Sequence, residues 1–403
     1  MRAIRRRKLL SRALLALLVT GALLLLLWSV ASLDLIVHDC WNQFLTFYKS
    51  VKHSQRVSVE PEDLNRRKAG TKMILGWTPF FSSDFATMWF SCKHECAVGE
   101  SCVFTNHRKY AQSADAVLFH LKDADLDDLP PTRLDSQLYV FFIMESPFYT
   151  YQSLKPWNNY FNLTMSYRTD SDVYNPYGTF VPKTAIQRQT DHELEVVARQ
   201  KRKLVAWFAS ECVTYSRREY LVSELSKHIS IDIYGSCGDL SCPKKERLHC
   251  DEMLESDYKF YLALENSVCS DYVTEKFFRM HHYVVPVVLR AADYSFAPSR
   301  SFIAADQFRS AEQLADYLLY LDSNITAYLD YLQWHKSAYI ALQPHYPSSM
   351  AGLCGLCQKV VEGGSVSDRK SYVDLHGWWY GKGNCVKNFA WQLYEESKKW
   401  WIY

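Results

Sequence analysis

Short apolar runs recur along this chain at helix-sized intervals, and that spacing leaves few folds open to it. They are Met73–Leu75, Ala116–Phe119, Leu138–Met144, Leu204–Phe208, Ile229–Ile233, Phe260–Leu264 and Val284–Leu289. Several are continuous rather than alternating, the pattern of central strands covered on both faces. Parallel strands also need a crossover between them, usually a helix. The reading is α/β. A polar, charged stretch over 184–203 (AIQRQTDHELEVVARQKRK within it) separates two sets of runs and places a boundary between two α/β domains. With 403 residues, 48% of them hydrophobic, there is material for both.

A different pattern precedes the first run. Arg2, Arg5, Arg6, Arg7, Lys8 and Arg12 lead into an uncharged run from Ala13 to Leu33. At about 1.5 Å per residue such a run crosses a hydrocarbon core of roughly 30 Å. Cationic residues on its N-terminal side keep that end cytosolic and send the rest of the chain into the lumen. The run exceeds the apolar core of a cleaved signal peptide, so an uncleaved anchor is favoured. The expected layout is a cytosolic tail (1–12), a transmembrane signal-anchor (13–33) and a polar stem (34–72), followed by domains over 73–195 and 196–345 and a cysteine-containing tail over 346–403.

The net charge is +2 with signs interspersed, which gives no field for nucleic acid, so an anionic ligand must be small and locally held. In an oxidising lumen the cysteine clusters at 92, 96 and 102, at 212, 237, 242, 250 and 269, and at 354, 357 and 385 read as disulfide partners. Cys354-Gly-Leu-Cys357 and Cys237-Gly-Asp-Leu-Ser-Cys242 also have zinc-like spacings, though the lumenal placement favours disulfides. Cys40, just past the anchor, could bridge two chains into a homodimer. Asn162-Leu-Thr164 and Asn324-Ile-Thr326 are N-glycosylation acceptors suited to the same compartment.

In open α/β sheets ligands collect beyond the carboxyl ends of strands. One strand end carries Glu145-Ser146-Pro147, and another leads through Ser210 towards Arg217 and Arg218. A third continues as YLALENSVCSDYVTEKFF, residues 261–278. In this last stretch Ser270 or Asp271 can cap a helix running through Tyr272, Lys276 and Phe277, and a helix start attracts phosphate. Lys276 adds a point charge and Arg218 a bidentate fork, which together suit a diphosphate. Glu275 beside them could accept sugar hydroxyls, while Tyr261 and Tyr272 could stack on a base or seal the pocket. A capped, salt-bridged surface helix explains the stretch equally well on these grounds.

FYLALENSVCSDYVTEKFF resembles the signature of the alpha-1,3-fucosyltransferases, glycosyltransferase family ten. MESP (144–147), FNLTMSYRTDSDVYNPYG (161–178), LVAWFAS (204–210), YLVSELSKHISIDIYG (220–235), VPVVL (285–289) and SFIAADQF (301–308) continue the resemblance in order, over 73 to about 340. It implies a type II Golgi membrane protein with a GT-B fold, two Rossmann-like domains facing a cleft, the first for the acceptor and the second for GDP-fucose. It further implies an inverting transfer of L-fucose from GDP-beta-L-fucose to N-acetylglucosamine of a glycoprotein glycan. Glu145 falls on the general base and Arg218 on the donor-site arginine. Tyr261, Asn266, Tyr272, Glu275 and Lys276 fall on the signature's donor residues, and Ser210 closes the LVAWFAS block. Asp170-Ser171-Asp172 falls inside the family's YRxDSD block and reads as local hydrogen bonding. A divalent cation stays open, with no metal ligand assigned.

His281, His282, Tyr283 and Arg290 stand where the family has small residues, in a stretch expected to pass close to the donor. The run after ADAVLFH lacks the His-His-Trp of Lewis-type members, and Cys354-Gly-Leu-Cys357 with SYVDLHGWWYGKGNC resembles core-type members. The resemblance ties that tail to the N-terminal domain through cysteines drawn from Cys92, Cys96 and Cys102. A core-type acceptor is therefore expected, with a Lewis-type enzyme or a silent glycan-binding relative as the alternatives.

Overall fold

The computed structural model describes residues 68–399 except 82, 185–188, 243–246, 343–349 and 364–370. The expected cytosolic tail, anchor and most of the stem, with Cys40, lie outside the described residues. Among those described, no helix is long and apolar enough to cross a membrane.

The apolar runs form strands of two parallel sheets. In the first, β1 (Lys72–Gly76), β2 (Cys102–Thr105), β3 (Ala116–His120), β4 (Leu138–Ile143), β5 (Leu163–Ser166) and β6 (Val173–Tyr174) lie in the order β2-β1-β3-β4-β5-β6. A short β7 (Gly178–Pro182) follows. The second sheet holds β8 (Lys203–Phe208), β9 (Ile231–Tyr234), β10 (Tyr258–Leu262), β11 (Val285–Val288) and β12 (Ile303–Ala304) in the order β12-β11-β10-β8-β9. Finally β13 (Ala338–Leu342) returns to pair antiparallel with β7. β3 and β10 are buried along their whole length, as continuous apolar runs require.

In each sheet the first strand has the second on one side and the third on the other. Successive crossovers therefore leave the sheet in opposite directions, opening a crevice at the carboxyl ends of the two strands between them. The crevice lies between β1 and β3 in the first sheet and between β8 and β10 in the second.

Sequence reasoning missed β2, β5, β6, β7, β12 and β13. β5 shows why: Thr164 and Ser166 interrupt its apolar pattern but are wholly buried, their hydroxyls bonded to Asp172 and Ser171. Burial with partners makes a polar residue acceptable in a central strand. The same burial hides Thr164 of the Asn162 glycosylation site, and Asn162 Oδ1 accepts from the Tyr139 amide (2.8 Å). Asn324 instead caps helix Ile325–Leu329, with Thr326 exposed.

The polar stretch read as a break contains helix Asp191–Gln200. Thr190 and Glu193 form a reciprocal cap, and Leu194 and Ala198 point into the core of the second sheet. Only that narrow apolar face marked it as a helix.

Among the described residues the disulfides are Cys96–Cys354, Cys102–Cys357, Cys212–Cys237, Cys242–Cys250 and Cys269–Cys385. Cys354 and Cys357, which have the zinc-like spacing, thus fasten helix Met350–Glu362 to the edge of the first sheet. The tail was expected to pack on the first domain. It does not stop there: Cys385 joins Cys269, and helix Phe389–Lys399 sends Ala390 and Tyr394 into the second core.

Candidate active site

The carboxyl ends of the two sheets meet. Ser146 Oγ lies 2.7 Å from Ser267 Oγ, both buried, and Tyr149 Oη donates to Glu211 Oε1 (2.7 Å). Thr169 donates from its amide (2.9 Å) and hydroxyl (2.7 Å) to Asp271, while the Tyr167 and Tyr272 rings meet edge to face at 5.0 Å. Each pair joins a loop after β4 or β5 to one after β8 or β10.

Glu145 stands at the mouth of this seam, two residues past β4 and half-buried. Its Oε1 is 3.9 Å from Lys122 Nζ. Burial pushes its carboxyl above the ordinary carboxylate range, Lys122 and Lys276 pull it down, and Glu275 and Glu211 push it up again. Glu145 on the first sheet therefore feels Lys276, Glu275 and Glu211 on the second.

Past β10 the chain departs from the expected helix. Asp271 takes a left-handed conformation (φ 62°), and the cap is Thr274, whose hydroxyl accepts from the Lys276 amide. The helix is only Glu275–Phe278, continued by a tighter turn over Arg279–His282. Neither Ser270 nor Asp271 caps it, and Tyr272 lies before it. So short a helix has little macrodipole, so the positive character here must come from side chains.

Lys276 supplies it. Its Nζ donates to Glu265 Oε2 (3.1 Å) and Thr274 Oγ1 (2.8 Å) and sits 3.5 Å from Glu275. Burial alone would lower the ammonium's pKa, but Glu265 and Glu275 more than reverse that and raise it. Burial likewise pushes Glu275 up, and Lys276 with Arg279 brings its carboxyl below the ordinary range. Glu265 is buried and accepts from the Thr274 amide and hydroxyl, both at 2.8 Å, so this carboxylate orients the ammonium. Sequence reasoning placed Glu265 in the stretch but gave it no role. Its signal was the spacing to Thr274 and Lys276, which only the turn brings together.

Arg218 opens helix Arg218–Leu225 and is 3% exposed. Nη1 donates to the Leu264 carbonyl (2.7 Å) and Nη2 to the Glu211 carbonyl (3.1 Å), which locks it across the second sheet's crevice. Its Nε and the Oδ1 of Asn266 are buried with no hydrogen-bond partner among the described residues. Buried polar atoms are almost always paired, so these are primed for a ligand. Ser210 is exposed at the end of β8. Next to it Glu211, overlooked in the sequence, joins Tyr149 to Asn266 (3.5 Å). The strand-end rule applied one residue further would have found it.

The two tyrosines do not serve as exposed stacking surfaces. Tyr261 lies inside β10, 1% exposed, beside Phe208 and the Arg279 guanidinium, and Tyr272 is 4% exposed against Tyr167. A residue inside a strand covered on both faces has no open side, so Tyr261 is part of the core of the second sheet. The bulky residues downstream also have places of their own. Tyr283 stacks on His335 (centroids 4.4 Å) and Arg290 forks onto Asp293 (2.9 and 2.6 Å). Asp170 accepts from Arg168 and Trp378, and Asp172 from Thr164 and Tyr372. Local hydrogen bonds thus occupy both carboxylates. Among the described residues no group of three or more His, Cys, Asp or Glu side chains is placed to hold a metal ion.

Two opposed α/β crevices, a carboxylate on one and a buried cation cluster on the other, define a group-transfer site of the nucleotide-sugar kind. Residues 69–178 match the model "Fucosyltransferase, N-terminal" and 198–378 match "Glycosyltransferase family 10 (fucosyltransferase) C-term", and the chain belongs to that family. It is 33% identical to the alpha-(1,3)-fucosyltransferase C of Drosophila melanogaster over 392 residues, covering 89% of each chain. With the alpha-(1,3)-fucosyltransferase fut-1 of Caenorhabditis elegans the identity is 39%, over 64% of this chain and 59% of that one. With the glycoprotein 3-alpha-L-fucosyltransferase A of Drosophila melanogaster it is 33%, over 76% and 59%.

Proposed function

We propose that this protein is an inverting alpha-1,3-fucosyltransferase that moves L-fucose from GDP-beta-L-fucose to N-acetylglucosamine of an N-glycan. The observation that carries the reading is the opposition of Glu145, at the end of β4, to Arg218, Asn266 and Lys276 beyond β8 and β10. The acceptor hydroxyl attacks fucose C1 opposite the departing GDP. As the new C1–O bond forms and the C1–O(phosphate) bond breaks, the proton passes to the Glu145 carboxylate and the electron pair leaves on the diphosphate. Lys276, held by Glu265, and Arg218 carry the charge of that leaving group. Arg218 Nε and Asn266 Oδ1 gain the partner they lack among the described residues. No covalent intermediate is needed, so a single carboxylate suffices.

The two sheets, each with a crevice at its carboxyl end, suit a GT-B arrangement with the acceptor on the first and the donor on the second. The tail's Cys354-Gly-Leu-Cys357 and its disulfides support a core-type acceptor, and the glycoprotein 3-alpha-L-fucosyltransferase A named above is compatible with it. A type II membrane protein anchored through residues 13–33 with this site in the lumen is supported by the basic N-terminus and the cysteine usage, and the Golgi is what the family resemblance implies.

The test is Glu145→Gln in the full chain. It should keep GDP affinity within about twofold and lose transfer by at least about a hundredfold, the scale of a general base. Near-normal turnover would remove Glu145 from the mechanism. Offering wild-type enzyme a trimmed N-glycan and N-acetyllactosamine separates the core-type from the Lewis-type reading.

A further inference from the structure

The first sheet's crevice carries an arrangement that the reaction as described does not use. Beyond β1 lies Phe81, beyond β3 lies Lys122, and beyond β4 lie Glu145 and Tyr151. Phe81 and Tyr151 are 46% and 67% exposed, although both are large aromatics. Both also hold left-handed backbone conformations, φ 52° and 55°. Among the described non-glycine residues with positive φ, they are the two exposed aromatics; three others are asparagines and one an aspartate, which tolerate that region. Strained backbone is retained where surrounding structure over-determines it, and it gathers at ligand sites.

Both loops are fixed. The Phe81 amide donates to Asp123 Oδ2 (2.8 Å), and the same carboxylate holds His120 Nδ1 (2.7 Å), whose ring meets Phe81 edge to face at 4.9 Å. Gln152, next to Tyr151, donates to the Leu121 carbonyl (2.8 Å) and ties the Tyr151 loop to the β3 loop. Lys122 Nζ lies 5.8 Å from the Phe81 ring centroid and 3.9 Å from Glu145. The Tyr151 hydroxyl is within electrostatic reach of Glu211, Tyr215 and Glu145, and its ring stands edge-on to Tyr149 at 5.6 Å. Two presented rings thus share one neighbourhood with the base, and with hydrogen-bonding groups on Lys122 and Glu211.

We propose that Phe81 and Tyr151 are the acceptor-specificity residues, aromatic platforms beside Glu145 that stack on the apolar faces of the acceptor's pyranose rings. A pyranose offers an apolar C–H face and an equatorial rim of hydroxyls, and this site answers with flat rings and a few placed polar groups. Phe81 touches the edge of the aromatic core of Phe80, Phe85 and Phe142 through Phe80 (5.0 Å) and Tyr151 rests edge-on against Tyr149, yet both rings stay exposed. The inference rests on the transferase reading.

With the full chain, GDP-fucose and a trimmed N-glycan, Phe81→Ala and Tyr151→Ala should each raise the acceptor KM about tenfold more than they change kcat, the pattern of lost uniform binding. Tyr151→Phe and Phe81→Tyr should restore it. Phe81→Asn and Tyr151→Asn accept positive φ without a ring and should resemble the alanine variants, which separates the ring from the backbone. GDP affinity reports that each variant is folded. An unchanged acceptor KM in both alanine variants, or full recovery with asparagine, overturns the inference. If the wild type transfers to no acceptor, the reading of function fails first. Saturation-transfer NMR with an N-acetylglucosamine oligosaccharide then still decides: loss of ring-proton saturation in the alanine variants supports the platforms, and equal saturation removes them.

Discussion

In the proposed reaction Glu145 condenses the chemistry into one titration. Burial raises its pKa and Lys122, 3.9 Å away, restrains that rise. A base works only as the carboxylate, so kcat/KM should fall as pH drops through this raised pKa. Removing a nearby cation disfavours the carboxylate, so Lys122→Met should move the acid limb of the pH profile to higher pH. A limb that stays put or moves lower would show that Lys122 does not act on the base. Strand-end logic was enough to single out Glu145, Ser210 and Arg218 in the sequence. It stopped one residue short of Glu211, and it gave no role to Glu265, whose part depends on partners that the turn brings together. Tyr283 shows the converse. It looked obstructive where the family has small residues, and its φ of 52° does occupy a glycine-like conformation, but its ring turns away onto His335.

At the scale of elements, the C-terminal tail holds both halves of the site. Trp378 and Trp379 accept Arg168 at their carbonyls, and Trp379 Nε1 donates to Thr150, beside the β4 loop. Further on, the Ser270 amide donates to the Gly383 carbonyl, Val386 to Val268, Asn388 to Tyr215 and Ala390 to Ser216. The tail thus runs alongside the loops after β8 and β10, and Cys269–Cys385 pins it there across 116 residues of sequence. Cys385→Ser should cost about 2–5 kcal/mol of stability, measured by denaturant unfolding. It should also raise the KM for GDP-fucose several-fold more than the acceptor KM. Equal stability with unchanged donor KM would reduce the tail to a passive cover. The sequence showed CxxC spacing and a Trp-rich segment, but no local pattern says which sheet a tail will cross to.

Across the whole molecule, the seam between the sheets is mixed: Ser146 with Ser267, Tyr149 with Glu211 and Thr169 with Asp271 are polar pairs, while Tyr167 with Tyr272 and Phe148 with Tyr215 are aromatic ones. With polar pairs among its contacts, such a seam rearranges at lower cost than a wholly apolar shared core. On the proposed function, GDP bound at Arg218 and Lys276 should therefore tighten both sheets rather than the second alone. At a hundred times its Kd it should add about 2.7 kcal/mol of stability. Amide hydrogen exchange should slow in 145–151 as well as in 264–276. Protection confined to the second sheet would mean that the two halves are not coupled through the seam. The sequence by itself pointed to the parallel α/β architecture, because short continuous apolar runs at helix-sized spacing suit strands covered on both faces. It also determined which strand ends bear charge. Tertiary structure alone decided that Tyr261 is core, that Thr274 starts a four-residue helix, and that Glu265 aims Lys276. It likewise decided that Phe81 and Tyr151 are turned outward beside Glu145. The physical reason is that burial, left-handed backbone and charge pairing are fixed by contacts between residues tens to hundreds of positions apart, where local propensity carries no information.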